Sequence, residues 1–233
     1  DVVAPSAVEK EGSATPRALE TAEVQQIVAD FGEATRRAIE AGFDGVEIHG
    51  ANGYIIQQFY SPFSNRREDE WGERLRFPLA VIDSVRSAVD KHGSKDFIVG
   101  YRFSPEEPET PGLTMKETLE LIDALVEKPL DYLHVSLMDF HSTARRGADA
   151  NAKRIDLIQE RINNRMPLIG VGSLYSAEDV AAAKDTGVPL IGMGRELLID
   201  PEFVTKIKEG REDRIVRLID PAHEDHHGLP DPL

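Results

Sequence analysis

Several features that define large classes of proteins are missing from this sequence. Cysteine is absent from its 233 residues, which excludes a disulfide framework, a thiolate metal cluster and a cysteine nucleophile. Cations are scarce, because 27 Lys and Arg stand against 42 Asp and Glu and give a formal net charge of −15. Nucleic acids and anionic membranes are bound through basic patches, so we expect neither as a partner. No apolar run approaches the roughly 18 residues of a membrane span and no signal peptide is visible, which predicts a cytoplasmic protein.

The composition that remains is typical of a globular protein, with 40% hydrophobic and 30% charged residues. A chain of this length is ample for one hydrophobic core and short for two. We therefore expect a single domain over residues 1–233.

A β/α repeat runs through most of the chain. Short apolar runs centred near residues 47, 100, 134, 170 and 191 alternate with amphipathic helical segments. This alternation predicts parallel strands joined by right-handed crossovers. Five such strands are compatible with a doubly wound sheet or with part of a barrel.

Helix signals along the chain support this repeat. Thr21 is predicted to cap the first helix and Gly42 to end it. A capping box from Thr114 to Glu117 predicts the start of another helix, and Ser176 is a predicted cap. Asp200-Pro201 is predicted to cap a last helix that buries Phe203, Val204 and Ile207. The first 18 residues have no period and predict an irregular arm.

The stretch from residue 42 to 60 concentrates polar side chains at the end of a strand. An apolar run over residues 46–48 predicts a buried strand, and His49, Asn52 and Tyr54 follow it, interleaved with two glycines. Ligands of parallel α/β folds bind at the carboxyl ends of the strands. The sequence therefore predicts a binding site here, with a solvated turn and a capping histidine as the alternative.

Two glycine turns end the last two predicted strands. Gly172-Ser173 and Gly194-Arg195 are 22 residues apart, and each feeds a helix. This arrangement is typical of the phosphate-binding closing strands of a (β/α)₈ barrel. Backbone N–H groups, a hydroxyl and a guanidinium would converge there on a phosphate. The alternative is two tight turns and a surface arginine.

Other polar residues give weaker signals. Arg102 lies within a predicted strand, where a buried arginine needs an acceptor, either a ligand or a structural salt bridge. His134, on an apolar strand, is expected to be a core histidine with satisfied hydrogen bonds. The tail carries His223, His226 and His227, but no other ligands converge on them in sequence, so we predict no metal site.

One segment of the chain contains the motif His49-Gly-Ala-Asn52-Gly-Tyr54-Ile, then Gln58-Phe59, and then Ser-Pro-Phe-Ser-Asn-Arg-Arg at 61–67. This segment resembles the old yellow enzyme family. Its bacterial NADH:flavin oxidoreductase branch is the most similar. The resemblance implies that His49 and Asn52 hold the activating group of a substrate over FMN and that Tyr54 donates a proton.

The same resemblance assigns the remaining candidates to the cofactor. It implies that Arg102 reaches the pyrimidine edge of the flavin. The FMN phosphate would be held by Gly172, Ser173, Gly194 and Arg195. The implied activity is an FMN-dependent oxidoreductase that uses NAD(P)H to reduce the activated C=C bond of α,β-unsaturated carbonyl or nitro compounds.

The fold implied is a (β/α)₈ TIM barrel, of which the five visible units match the fourth to eighth strands. The first three strands would then precede Asp1. Those strands would carry part of the FMN site, so we expect this segment alone to be inactive. A partial barrel also exposes sheet edges, through which we expect the segment to self-associate as a homo-oligomer. Two alternatives remain: a non-flavin barrel isomerase or aldolase that acts on a phosphorylated substrate through a strand carboxylate such as Glu47, and a catalytically silent fragment.

Overall fold

A computed structural model describes residues 2–10, 12 and 14–219 of the chain. The three histidines of the tail, where we predicted no metal site, lie outside the described residues. None of the helices in the described part of the chain combines the length and the apolar composition needed to cross a membrane.

Strands and helices alternate as the sequence predicts. The strands are β1 (Val3–Ala4), β2 (Arg17–Ala18), β3 (Gly45–Gly50), β4 (Ile98–Phe103), β5 (Tyr132–Ser136), β6 (Leu168–Val171) and β7 (Leu190–Gly192). The helices are α1 (Thr21–Glu40), α2 (Ile55–Tyr60), α3 (Arg76–His92), α4 (Met115–Leu125), α5 (Arg154–Ile162), α6 (Ala177–Lys184), α7 (Arg195–Ile199) and α8 (Phe203–Lys208).

The strands β3 to β7 form one parallel sheet in sequential order, and β1 pairs with β2 in a separate two-stranded parallel sheet. Every neighbouring pair in the large sheet is parallel, which confirms the predicted β/α repeat. In a sheet of this kind all the carboxyl ends of the strands lie along one edge, so the polar strand exits are brought together.

Local helix signals were informative at some termini and wrong at others. The capping box from Thr114 to Glu117 opens α4, and the Asp179 backbone N–H donates to Ser176 Oγ over 3.1 Å at the start of α6, as predicted. Thr21, however, is not the cap of α1: the N-cap is Glu20, which forms a capping box with the third helical residue. The Thr21 hydroxyl instead donates to Asp69 Oδ2 over 2.9 Å.

Two further expectations need correction. The arm at the chain start is partly regular, because it contains β1 and β2. The chain after β7 forms the additional short helix α7, and Glu202 rather than Asp200 precedes α8. Val204 is exposed and does not share the buried face of Phe203, because α8 is only 6 residues long and packs through one side.

The two faces of the five-stranded sheet differ in chemistry. One face is apolar: Ile48, Tyr101 and Leu133 belong to the hydrophobic core together with the inner sides of α3, α4 and α5. The other face carries the polar strand residues, which are partly exposed. Because side chains alternate along a strand, these two sets follow directly from the sequence pattern. The polar face is where a ligand can reach the sheet.

One buried carboxylate ties the site region to the rest of the fold. Glu107, in the segment between β4 and α4, is 9% exposed. It accepts hydrogen bonds from Gln57 Nε2 at 2.8 Å, from Ser61 Oγ at 2.5 Å and from the Leu113 backbone N–H at 3.1 Å. Two of these donors belong to α2 and its C-terminal end. Glu107 therefore fixes the helix that follows the His49–Tyr54 motif.

We expect Glu107→Ala to lower the free energy of unfolding by about 3 kcal/mol, because three buried donors lose a charged acceptor. Glu107→Gln keeps the shape and one acceptor oxygen, so its loss should be smaller. Glu127→Ala removes an exposed carboxylate in the turn after α4 and should change the free energy of unfolding by less than about 0.5 kcal/mol. Urea unfolding of the three variants tests this order, and equal stability of Glu107→Ala and Glu127→Ala would contradict it.

Candidate functional site

The turn after β3 places the motif residues. Asn52 and Gly53 have φ values of 56° and 75°, and the Tyr54 backbone N–H donates to the Ala51 carbonyl over 3.2 Å. Two consecutive residues with positive φ are the requirement of a type I′ turn, for which Asn-Gly is a preferred pair. The Asn-Gly pair in the sequence thus has a structural reason, and it reverses the chain between β3 and α2.

Two glutamines of α2 hold this turn in place. Gln57 Oε1 accepts from the Gly53 backbone N–H at 2.9 Å, and Gln58 Nε2 donates to the Gly53 carbonyl at 2.7 Å. The turn is therefore fixed on both its donor and its acceptor side. We predicted no role for these glutamines in the turn. Two consecutive amide side chains one helical turn after an Asn-Gly pair are the signal that could have indicated it.

His49 and Tyr54 lie next to each other at the strand mouth. Their ring centroids are 5.2 Å apart with the planes inclined by 52°, and Tyr54 is 61% exposed. His49 Nδ1 is buried and has no hydrogen-bond partner among the described residues. Burial and the nearby Arg102 charge lower the pKa of His49 below its ordinary value, so the ring is neutral at neutral pH. A neutral imidazole can donate one N–H to a ligand.

Asn52 is oriented by two serines from the neighbouring strand exits. Its backbone N–H donates to Ser104 Oγ at 2.9 Å, and its side-chain Oδ1 accepts from Ser136 Oγ at 3.0 Å and from Ser104 Oγ at 3.3 Å. The acceptor end of the amide is therefore occupied. The Nδ2 group is left as the donor that a ligand can use. Neither serine was a candidate in the sequence.

Arg102 lies between His49 and His134 in the register of β3, β4 and β5. Its Nη2 donates to Ser136 Oγ over 3.1 Å, while its Nε is buried and has no hydrogen-bond partner in the part of the chain that the structure describes. Within the described residues no carboxylate forms a salt bridge with it, so the structural ion pair that the sequence left open is not formed there. The guanidinium retains a donor for an acceptor outside the protein chain.

His134 is held by a carboxylate on the same face of the sheet. Glu47 Oε2 lies 2.9 Å from His134 Nδ1 and accepts from the Tyr132 hydroxyl at 3.0 Å. Burial alone would raise the pKa of Glu47, but the His134 and Tyr132 contacts lower it overall. The expected core histidine is satisfied on one side only, because its Nε2 has no partner among the described residues.

The two glycine turns form one cavity of about 190 Å³, lined by residues 171–175 and 192–196 and by the end of β5. Arg195 Nη2 donates to Ser173 Oγ over 3.3 Å, and the guanidinium lies 5.4 Å from the centre of the Tyr175 ring. The structure thus brings together all four residues that the sequence predicted for a phosphate. Tyr175 was not predicted.

The backbone at this cavity has a demanding conformation. Gly172 has a φ of 153°, and a Cβ there would lie 2.5 Å from the Phe140 backbone nitrogen. Ser173 follows with a φ of 46°, in the left-handed region that residues other than glycine rarely adopt. The Ser173 hydroxyl donates to the Met138 carbonyl at 2.6 Å, which stabilises the turn. Strain of this kind is often found where backbone groups face a ligand.

A buried carboxyl also lines the cavity at the glycine turns. Glu196 is 1% exposed, and neither of its carboxyl oxygens has a partner among the described residues. Burial and the neighbouring Asp200 raise the pKa of Glu196 to about 6. The carboxyl is therefore neutral below that pH and adds negative charge to the cavity above it.

A larger cavity of about 450 Å³ adjoins Asn52 on its other side, between the arm at the chain start and α2. Its wall is mostly apolar and includes Val8 and Phe63. Lys10 Nζ lies 2.9 Å from Glu109 Oε1 and joins the arm to the segment after β4. The space is large enough for a small organic ligand. Among the described residues no group of three or more His, Asp or Glu side chains could hold a metal ion.

Comparisons with known proteins agree with this geometry. The family model described as NADH:flavin oxidoreductase / NADH oxidase matches residues 1–214. A protein of Bacillus subtilis strain 168 named probable NADH-dependent flavin oxidoreductase YqiG is 58% identical over the whole chain, which spans 64% of that relative. The NADH:fumarate oxidoreductase of Klebsiella pneumoniae strain 342 is 42% identical over 99% of the chain, which spans 26% of it.

The solved structure of morphinone reductase has the same architecture. It superimposes with a TM-score of 0.73 over 94% of the chain and 62% of the reductase, at 28% sequence identity. The fold prediction is thereby confirmed: the five β/α units are part of a (β/α)₈ barrel of the old yellow enzyme type. This family uses FMN, with NAD(P)H as the reductant. The chain belongs to the NADH:flavin oxidoreductase / NADH oxidase family.

Proposed function

We propose that this chain forms the substrate site and the phosphate side of the cofactor site of an FMN-dependent, NAD(P)H-oxidising enzyme that reduces activated C=C bonds. One observation carries the proposal. At a single strand mouth, His49, Tyr54 and the Asn52 amide lie beside Arg102, whose buried Nε has no partner in the described chain. Neutral donors beside a fixed cation suit a reaction in which negative charge grows on both substrate and cofactor.

The residues present fit FMN. The cavity at Ser173 and Arg195 offers a guanidinium and backbone N–H groups to a phosphate, and the Ser173 hydroxyl could join them by turning away from the Met138 carbonyl. Gly194 is exposed with open space beside its Cα, whereas Gly172 is buried and allows the close approach of its turn to the Phe140 backbone. Arg102, on the strand between β3 and β5, would meet the pyrimidine edge of the flavin with its free donor. When bound and reduced by NAD(P)H, FMN supplies a hydride to the substrate.

The protein's own part in the reaction is binding, charge stabilisation and proton transfer. His49 and the Nδ2 group of Asn52 would donate hydrogen bonds to the carbonyl or nitro oxygen of the substrate, and these bonds strengthen as that oxygen becomes negative. Tyr54, exposed beside His49, would protonate the α-carbon, because a phenol is a much stronger acid than a carbon centre of that kind.

The proposed substrate class rests on two features of Asn52: its Nδ2 donor and the cavity that it lines. A carbonyl or nitro oxygen would occupy the donor side, and the substituents of the alkene would extend into the 450 Å³ cavity next to the arm. The name of the Klebsiella relative supports this class, since fumarate is an alkene conjugated to carboxyl groups. The predicted cytoplasmic location, homo-oligomeric state and inactivity of the isolated segment stay predictions.

A non-flavin isomerase or aldolase is less well supported. It would use the same phosphate loops but needs a free carboxylate or lysine at a strand end. Glu47, its best candidate, already accepts hydrogen bonds from His134 and Tyr132, so it is not free to act as a base. A catalytically silent protein could still bind FMN and a phenol, so of the following three predictions the one on Tyr54 separates it from the proposed enzyme.

The first of these predictions concerns the phosphate. Arg195→Gln should weaken FMN binding about 10- to 100-fold, because a charge-assisted hydrogen bond to the phosphate is lost. Riboflavin lacks the phosphate and serves as the matched control, so its affinity should change by less than about twofold. Fluorescence titration of both flavins with wild type and variant tests this. An equal loss for FMN and riboflavin would place Arg195 away from the phosphate.

A second prediction separates the substrate site from the cofactor site. In the FMN-bound enzyme, His49→Ala should weaken the binding of a para-substituted phenol by about 1.5–3 kcal/mol, because it removes a donor to the ligand oxygen. FMN affinity should change much less. Titration of the phenol, followed through the flavin absorbance, gives the comparison. Unchanged phenol affinity would remove His49 from the substrate site.

The third prediction concerns Tyr54→Phe in the full-length enzyme. The variant should reduce FMN with NADH at nearly the wild-type rate, because that half-reaction consumes no proton from tyrosine. The half-reaction with an enone should be slower by on the order of 100-fold, the usual contribution of a general acid. Stopped-flow measurement resolves the two halves. Equal slowing of both would contradict the assignment of Tyr54 as the acid.

A further inference from the structure

A continuous hydrogen-bond chain connects the candidate flavin-binding arginine to the candidate substrate-binding amide. Arg102 Nη2 donates to Ser136 Oγ at 3.1 Å, and Ser136 Oγ donates to Asn52 Oδ1 at 3.0 Å. Ser136 is the last residue of β5, and the two groups that it joins belong to β4 and to the turn after β3. Three separate β/α units thus meet at one hydroxyl.

The chemistry of the three groups fixes the direction of this chain. A guanidinium can only donate, so Ser136 must accept from Arg102. The Ser136 hydroxyl keeps its own proton, which it donates to Asn52 Oδ1. Ser104 repeats this pattern, since it accepts from the Asn52 backbone N–H and donates to the same Oδ1. Both hydroxyls hold the amide with Nδ2 turned away from them.

We propose that Ser136 is a positioning residue, which couples the Arg102 charge to Asn52 and keeps the amide Nδ2 group directed at the substrate oxygen. This inference rests on the proposed function, because it assumes that Asn52 binds the substrate. Ser136 touches neither substrate nor cofactor in this account, and it acts only through the amide.

The coupling has a physical reason beyond orientation. A hydroxyl that accepts a bond from a cation becomes a stronger donor, and an amide whose oxygen accepts a strong bond becomes a stronger donor at its nitrogen. The chain therefore strengthens the bond from Nδ2 to a substrate oxygen. Ser104 lies farther from Oδ1, at 3.3 Å against 3.0 Å, and it accepts from a neutral backbone group instead of a cation. Its contribution is expected to be smaller.

The test measures phenol affinity in the FMN-bound enzyme. Ser136→Ala should weaken binding of a para-substituted phenol about fivefold to tenfold, as expected for one lost hydrogen bond, while FMN affinity changes by less than about twofold and the variant stays folded at the assay temperature. Ser136→Thr retains the hydroxyl at a strand end that tolerates a β-branched residue, and it should restore the affinity to within about twofold. Ser104→Ala should give a smaller loss.

Two controls make the result specific. Ser142→Ala removes a hydroxyl of the loop between β5 and α5. This hydroxyl donates to the Asp139 carbonyl and not to Asn52, so its loss should leave phenol affinity unchanged. In an Asn52→Ala background, Ser136→Ala should change phenol affinity by less than about twofold, because the group through which it acts is gone.

Other results would refute either the positioning role of Ser136 or the substrate role of Asn52. An unchanged affinity for Ser136→Ala, or the same loss with and without Asn52, refutes the positioning role while the proposed function stands. If Asn52→Ala itself leaves phenol affinity unchanged with FMN bound, the substrate role of Asn52 is wrong and the positioning role of Ser136 fails with it.

Discussion

The candidate site depends on the register in which β3, β4 and β5 pair. Parallel pairing places His49 beside Arg102 and Arg102 beside His134, so three nitrogen-bearing side chains lie side by side on one face of the sheet. A shift of one residue in any of these strands would send its polar side chain to the apolar, helix-covered face. Burial of Ile48 and Tyr101 in the core opposes such a shift. The hydrophobic core therefore determines which side chains face a ligand.

The turn that carries Asn52 adds a second level of constraint. A turn with two residues in the left-handed region carries Asn52, and hydrogen bonds from α2 and from two strand exits hold it. Glu107 fixes α2 from behind. The Asn52 amide is thus oriented before any ligand binds, and an oriented donor loses less entropy when a ligand binds to it.

How much of this was predictable depends on the range of the interactions. The strands, the Asn52 turn and the paired glycine turns follow from local periodicity and turn chemistry. The bonds from Ser104 and Ser136 to Asn52 join residues 52 and 84 positions apart, and no local pattern indicates them. Even local rules failed where a distant partner competed. Thr21 has the side chain of a good cap, but its hydroxyl bonds to the loop after α2, and Glu20 caps α1 instead.

We propose that the strand mouth at His49 and the pair of glycine turns hold an activated alkene and FMN together. A crystal structure of the enzyme with FMN and a para-substituted phenol tests it most directly. We predict the phosphate between Ser173 and Arg195, and the phenol oxygen within about 3.2 Å of a His49 nitrogen and of Asn52 Nδ2. A phosphate bound elsewhere, or a phenol oxygen that contacts neither side chain, would contradict the account.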